Sequence, residues 1–342
     1  MQKTSRITVI TIFSLIVIYI SLLALELLPE AFPSKSEHAQ LHPIDSIPYT
    51  PPLWAITPFI LLLLSIAIFP LLSSTQTWWH NNKNRFLVVM VLSGVTLLYY
   101  GFLHPGGLEN HFTHELSSTH GLKTLWTAFS NAIFSEFIPF IVLLFSLYVI
   151  SGGINLTGDL PAHPATNTAF IAIGALLASF IGTTGAAMLL IRPLILTNTE
   201  RQYKVHTIVF FIFSVCNCGG LLLPIGDPPL FLGYLRGVEF TWTLSLWPYW
   251  ILVNSYLLLI YFAWDLIMYR RETLRDLIRD ERQVRPLRLS GSLNFFWLLG
   301  IVLSVAFILP GEFFLGTHFR TPVFLRETVM LMFVVVSLLT TN

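Results

Sequence analysis

The stretch that most constrains the fold of this chain is residues 217–229, which read NCGGLLLPIGDPP. It lies inside an apolar segment, residues 205–235, that is long enough to cross a lipid bilayer. Proline removes a backbone hydrogen-bond donor and clashes with the preceding helical turn, so a helix must open at Pro224 and Pro228. Backbone groups freed in hydrocarbon are tolerated only where they are buried in protein or line a wet cavity. The stretch therefore predicts a broken transmembrane helix.

A carboxylate, Asp227, lies in the middle of this break. An acidic residue inside a membrane helix is costly and by default indicates a site for an ion or a proton. A second interpretation stays open, in which the prolines form a simple kink and the aspartate caps the following half-helix.

The composition is that of a membrane protein. Of the 342 residues, 54% are hydrophobic and 11% are charged, whereas soluble domains carry about 25% charged residues. Runs of about 20 apolar residues recur along the chain. They predict an all-α polytopic membrane protein in contact with the lipid bilayer. The net charge of +1, with no basic patch interleaved with aromatic residues, argues against nucleic acid as a partner.

The first apolar segment follows Lys3 and Arg6. Its apolar run is too long for a typical signal peptide, so we predict a retained N-terminal transmembrane helix within residues 1–29. The basic flank predicts a cytoplasmic N-terminus, in the cytoplasmic (inner) membrane. Further membrane helices are predicted at about 53–73, 86–103, 133–151, 205–235, 241–267 and 293–310, and a last apolar run covers 329–339.

Residues 167–197 form either one long helix or a hairpin of two short arms that meet at the sequence GTTGAA, residues 182–187. If this segment crossed the membrane once, the linker 268–290 with its seven arginines would face outward. Cytoplasmic loops carry the excess of Lys and Arg, so the hairpin is favoured. Each arm is then roughly 20 Å long at 1.5 Å per residue, and its tip passes the membrane midplane.

The linker 268–290 is predicted to be a cytoplasmic amphipathic helix. Its arginines recur at helical spacing, and Leu274, Leu277 and Ile278 fall on another face. Such a helix lies at the membrane surface, where anionic lipids attract its basic face.

Two short stretches indicate an internal repeat. Residues 65–70, SIAIFP, resemble residues 304–310, SVAFILP, and on the topology above they enter the membrane from opposite sides. This predicts an inverted-topology repeat. A second hairpin would be expected near positions 410–440, so the second repeat is expected to be incomplete. The predicted divisions are an N-terminal helix 1–29, a first repeat 30–267, the linker 268–290 and the start of a second repeat 291–342.

Two stretches, residues 178–193 (ASFIGTTGAAMLLIRP) and residues 217–229, resemble the ion transporter superfamily. That group contains citrate transporter-like proteins, NhaD-type sodium/proton antiporters, arsenite permeases and dicarboxylate carriers, and the likeness covers roughly residues 53–342. The resemblance implies that the hairpin tip faces the broken helix across a midplane site for the transported ion or substrate. That site would contain Gly182, Thr183, Thr184, Gly185, Asn217, Gly219, Gly220, Gly226 and Asp227. The tip reads Gly-Thr-Thr, unlike the acidic tip of the antiporters and the Ser-Asn-Thr tip of the carboxylate carriers.

The residue types at this predicted site suit two kinds of ligand. The hydroxyls of Thr183 and Thr184, with the Asp227 carboxylate and freed carbonyls, suit a small hard cation that is transported rather than held as a structural metal. Half-helix N-termini at the same place suit a carboxylate. A cation and a proton would compete for Asp227, which is a minimal antiport device. The threonines have another interpretation, because small hydroxylated residues also pack membrane helices and bond to their own carbonyls.

These observations leave several functions open. We favour a secondary transporter with Na⁺ or H⁺ as coupling ion and no other cofactor, and sodium/proton antiport stands slightly ahead of cation-coupled citrate or dicarboxylate transport. A half-transporter that is inactive, or that needs a homodimer or a partner chain to supply the second repeat, is an alternative. An intramembrane enzyme is disfavoured because the sequence has no His-Glu-x-x-His and no Gly-x-Ser-x-Gly stretch.

Overall fold

The computed structural model describes residues 17, 51–104, 108–111, 117, 120–311 and 320–341. The predicted N-terminal helix 1–29 therefore lies, apart from Val17, outside the described residues. Among these, five helical segments are long and apolar enough to cross a membrane, which confirms an all-α polytopic membrane protein. They are Asn82–Leu103, Leu122–Gly152, Pro164–Thr197, Val205–Leu222 and Trp242–Tyr269.

The described chain divides into two units, the first of which ends at Phe137. Its helices are α1 (Thr57–Ile68, after a 3-10 turn Leu53–Ile56), α2 (Gln76–His80), α3 (Asn82–Leu98, followed by a π-helical turn Tyr99–Leu103) and α4 (Leu122–Ser130, followed by a π-helical stretch Asn131–Phe137). Asn81 caps α3 by accepting a hydrogen bond from the Lys83 amide, at 3.0 Å. Many apolar side chains of α1 are exposed, as expected of a surface in contact with lipid.

The segment predicted to begin near residue 133 begins instead at Leu122. The start at Leu122 could not be recognised from the sequence, because the buried residues of α4 include small polar ones that interrupt the apolar pattern. These are Thr124, Thr127 and Ser130. The helix widens at Asn131, whose side chain accepts from the His111 amide at 2.9 Å and donates to the Glu109 carbonyl at 2.7 Å.

The second unit contains the predicted hairpin and the broken helix. Its elements are α5 (Ile138–Gly152), β1 (Asn155–Asp159), α6 (Pro164–Thr197), α7 (Val205–Ser214), α8 (Pro228–Leu235), α9 (Trp247–Tyr269), α10 (Leu274–Arg282), β2 (Arg285–Ser290), α11 (Asn294–Phe307) and α12 (Leu325–Thr340). The core lies where α5 packs against α6, α11 and α12, around the fully buried Ile150, Leu194 and Ile301.

The 34 residues of α6 fold back on themselves at Gly182, where φ is 76° and ψ is 153°. A straight helix of this length would extend about 51 Å. Instead the amide side chains of Asn167 and Asn198, near opposite ends of α6, exchange two hydrogen bonds of 2.9 and 2.8 Å. Halfway along the arms, a Cβ atom on Gly174 would lie 3.0 Å from Leu190 Cδ1. The segment is therefore a hairpin of two packed arms.

A small antiparallel sheet, which the sequence did not lead us to expect, joins the linker to the segment before the hairpin. Strand β1 pairs with β2 in the register Asn155 to Ser290 and Thr157 to Arg288. All six residues of β2 are exposed. An edge ribbon of this kind, with arginines along it, has too little apolar alternation to be recognised as a strand from the sequence.

The linker buries the acidic side chains of Glu272 and Asp280 and exposes its arginines. The Asp280 carboxylate accepts from the Ala162 amide at 2.8 Å, just before the hairpin begins. The Glu272 carboxylate accepts from the amides of Gln202 and Tyr203, at 3.1 and 2.9 Å, just before α7 begins. Burial raises the pKa of Asp280, and the nearby Glu200 carboxylate raises it further, against the lowering by the Ala162 amide. The linker therefore fastens the loops at both ends of the hairpin.

The inverted repeat and the incomplete second repeat stay predictions, as do the divisions drawn from them.

A double-mutant cycle on Asn167 and Asn198 tests the hairpin. Replacing either asparagine by Ala leaves the other amide buried without its partner, at a cost of about 1–3 kcal/mol. Because the two side chains are in contact, Asn167→Ala and Asn198→Ala together should cost clearly less than the sum of the single changes. The measurement is thermal unfolding of the detergent-solubilised protein.

The matched control for this cycle is Thr199→Ala. The Thr199 hydroxyl donates only to the Ile195 carbonyl one turn back, at 3.2 Å, so its loss should have little effect. Strictly additive effects of the two asparagine replacements would contradict the contact between the ends of the hairpin.

Candidate functional site

The tip of the hairpin is set by Gly182. Its positive φ is a conformation that residues with a side chain rarely adopt. A Cβ atom on Gly182 would lie 3.5 Å from Leu147 Cδ1 on α5 and 3.6 Å from the Ile225 carbonyl oxygen. The tip of the hairpin thus lies directly against residues 223–227 of the next segment.

That next segment is broken where the prolines predicted. Helix α7 ends at Ser214, and two 3-10 turns, Cys218–Leu222 and Pro224–Gly226, separate it from α8. The backbone is extended at Leu223 and at Asp227. Carbonyl and amide groups between the two half-helices therefore lack the partners that a continuous helix would supply.

Side chains from two other elements replace those partners. The Gly219 carbonyl oxygen accepts from the Ser179 hydroxyl at 2.5 Å and from Trp250 Nε1 at 3.0 Å. The Leu222 amide donates to Ser179 Oγ at 3.3 Å, and the Leu222 carbonyl accepts from the Thr243 hydroxyl at 3.0 Å. These three side chains supply the hydrogen-bond partners that buried backbone groups require.

Our sequence interpretation missed all three. Ser179 carries the one available signal, because it is a hydroxyl three residues before the tip in a stretch, residues 169–181, that is otherwise without polar side chains. Trp250 and Thr243 come from a separate helix, and no spacing connects them to the break.

Glycine is required in the break because two backbone segments touch there. A Cβ atom on Gly220 would lie 2.7 Å from the Gly226 carbonyl oxygen and 2.8 Å from Thr183 Cγ2. A Cβ atom on Gly226 would overlap the Gly220 carbonyl oxygen. The break and the tip consequently approach each other closely.

A cavity of about 370 Å³ lies where the hairpin tip, the break and α5 meet. Among the described residues that line it, none is charged. From α5 it is lined by Ile141, Leu144, Phe145, Leu147 and Tyr148; from the hairpin tip by Ile181, Gly182, Thr183, Thr184 and Gly185; and from the break by Ile225, Gly226 and Pro228.

The structure brings some of the predicted site residues to this cavity and not others. Gly182, Thr183, Thr184, Gly185 and Gly226 line it. Gly219 and Gly220 do not line it; they are buried in the backbone packing of the break.

Asn217 is exposed and does not line the cavity. Asp227 is half-buried at the start of α8, beside the cavity-lining Gly226 and Pro228, but is not itself part of the lining. Its carboxylate makes no capping hydrogen bond to α8, so the interpretation of Asp227 as a simple helix cap is wrong.

A helical hairpin whose tip meets a broken helix, in a polytopic membrane protein, is typical of transporters with discontinuous helices at the binding site. Residues 49–342 match a protein family described as "Putative citrate transport", and the chain belongs to this family. The family description indicates a membrane transporter. No curated protein and no solved structure matches the chain.

Replacing Gly226 by Ala tests the contact inside the break. The added Cβ would overlap the Gly220 carbonyl, so Gly226→Ala should destabilise the protein by about 1–3 kcal/mol, and transport should be lost with the geometry of the cavity. Gly94→Ala is the matched control, since no atom lies within 4 Å of its added Cβ and α3 should tolerate or gain from the change. Equal thermal stability of the two variants would contradict the packing.

Proposed function

We propose that this chain is a cation-coupled transporter of a small carboxylate, with the cavity between the hairpin tip and the broken helix as its binding site. The observation that supports this most is the cavity itself. Its volume of about 370 Å³ falls within the range of about 300–1,000 Å³ typical of small-molecule sites. A bare cation needs far less space. The family description supports citrate as the carboxylate.

The two arms of the hairpin supply complementary charge at the tip. The first turn of the second arm, residues 183–185, lines the cavity, and the N–H groups in the first turn of a helix lack intrahelical partners and carry a partial positive charge. No basic side chain is among the described residues that line the cavity, so in this proposal these amides bind the carboxylate together with the lining hydroxyls.

The first arm ends at the same place with carbonyl groups of partial negative charge. Together with the hydroxyls of Thr183 and Thr184 they offer the oxygen ligands that Na⁺ prefers. A bound cation then neutralises part of the charge of the carboxylate, which couples the two ligands.

Sodium/proton antiport remains a second candidate, and Asp227 favours it. This carboxylate is half-buried inside the break. Desolvation of such a group favours binding of either a cation or a proton, and competition between the two is sufficient for antiport. A homodimer, or a partner chain that supplies a second repeat, stays a prediction on which neither candidate depends.

Uptake of labelled citrate into proteoliposomes tests the first candidate. With an inward Na⁺ or H⁺ gradient we expect uptake, and we expect the double change Thr183→Val and Thr184→Val to reduce it about fivefold or more, because each lost hydroxyl bond is worth about 1 kcal/mol. Thr168→Val is the matched control on the same hairpin, since the Thr168 hydroxyl donates only to the Pro164 carbonyl, at 2.7 Å. Absence of citrate uptake in the folded wild-type protein would contradict the proposal.

The second candidate is tested by proton flux in the same proteoliposomes. If the protein is an antiporter, addition of Na⁺ or Li⁺ without citrate moves protons, and Asp227→Asn abolishes that movement because the proton-binding carboxylate is gone. Asp276→Asn, an exchange of the same kind in the linker outside the break, should leave it unchanged. Cation-evoked proton movement without citrate uptake would replace the first candidate by the second.

A further inference from the structure

A second group of charged side chains lies away from the cavity, at the base of the hairpin. Asn167 and Asn198 join the two arms there, and Asn167 is 15 residues before Gly182, or about 22 Å along the arm. Next to this pair lie Arg201 and Asp265, which are 3% and 0% exposed. Charged groups this deeply buried are expected only where they are paired or have a function.

Asp265 is the centre of this group. Its Oδ1 atom lies 2.7 Å from Arg201 Nη2 and 2.7 Å from His206 Nε2, and its Oδ2 atom accepts from Asn167 Nδ2 at 3.3 Å. Arg201 also faces Glu272, whose carboxylate lies 3.6 Å from Arg201 Nε. One carboxylate of α9 therefore contacts the hairpin, the segment after the hairpin and the first turn of α7.

The formal charges of the group do not balance. Arg201 carries +1, while Asp265 and Glu272 each carry −1, so the three sum to −1 when the His206 imidazole is neutral. Two phenols also face the group: Tyr261 on α9 packs against the His206 ring at 5.8 Å between centroids, and the Tyr269 ring lies 5.5 Å from Arg201 Cζ. Phenols are neutral at physiological pH, and the two hydroxyls lie 3.1 Å from the Thr207 hydroxyl and 2.9 Å from His163 Nδ1, respectively.

A proton on His206 would bring the sum to zero. An unbalanced charge in a buried group is costly, and a partner of opposite charge removes that cost. Histidine is the side chain that gains or loses its charge in the physiological pH range. The His206 side chain is 10% exposed and lies in the first turn of α7, next to the loop that joins this helix to the hairpin.

We propose that His206, held against Asp265, is a proton-binding site separate from the transport cavity. Binding of the proton fastens the base of the hairpin to α7 and α9. Helix α9 carries Asp265 near one end and Trp250, the donor to the Gly219 carbonyl in the break, near the other. The site is thus mechanically connected to the break. Proton binding itself is independent of what the cavity transports; only its coupling to transport rests on the proposed function.

The test is an NMR titration of the full chain with isotopically labelled histidine. The signal that disappears in His206→Gln identifies this imidazole, and the proposal requires this signal to report proton binding as the pH is lowered. In Asp265→Asn the same signal should protonate only at a lower pH, because the negative partner is removed. Asp276→Asn is the matched control, since Asp276 is bonded to Gln202 and Thr273 and not to the buried group.

If Asp265→Asn does not fold, the same NMR titration is carried out on Glu272→Gln. This replacement removes the other negative charge and should shift the titration of His206 in the same direction by a smaller amount. A His206 signal that does not change between pH 5 and 9, or that titrates identically in Asp265→Asn, Glu272→Gln and Asp276→Asn, would overturn the proposal.

The coupling between proton binding at His206 and transport is tested separately, by the pH dependence of uptake. His206→Gln should flatten the pH dependence of uptake while leaving uptake itself measurable. A titrating His206 in a protein that transports none of the tested ions would refute the proposed function and leave the proton site standing. Transport with a normal pH dependence in His206→Gln would refute the coupling.

Discussion

The structure depends on one constraint, that backbone groups released inside a membrane-spanning segment must find partners within the protein. The break after α7 releases the carbonyl groups of Gly219 and Leu222. Ser179 of the hairpin and Trp250 and Thr243 of the α9 segment bond to them. The break is therefore stable only while the hairpin and α9 pack on it, and these three elements act as one structural unit.

The same constraint places the candidate site. A hairpin that ends inside the protein must bring its tip against something that satisfies or tolerates its free groups, and here it meets a second irregular segment, with the Ile225 carbonyl 3.6 Å from the position of a Cβ on Gly182. Two interrupted helices that meet bring to one cavity helix ends whose amides and carbonyls lack intrahelical partners. In the proposed mechanism those groups replace the water around a carboxylate and its cation, and the charged group at the base of the hairpin links proton binding to the position of the tip.

Much of this architecture could be predicted from the sequence, because proline and glycine act locally: Pro224 and Pro228 predicted the break, and Gly182 predicted the tip. What could not be predicted depends on contacts between distant segments. No spacing connects Ser179 to Gly219 or Asp265 to His206, since each pair forms only after the helices pack. The position of the Asp227 side chain beside the cavity, rather than in its lining, is likewise set by the extended backbone at the break, which composition does not reveal.

The central claim, that the cavity binds the substrate, is tested most directly by protection from thiol labelling. In a chain whose two free cysteines, Cys216 and Cys218, are replaced by alanine, Leu144→Cys places a single thiol in the cavity lining. Leu274→Cys places one on an exposed position of the linker, outside that lining. We expect citrate with Na⁺ to slow labelling at position 144 and to leave labelling at position 274 unchanged. Equal labelling at position 144 with and without citrate, in a variant that still takes up citrate, would contradict the assignment of the cavity.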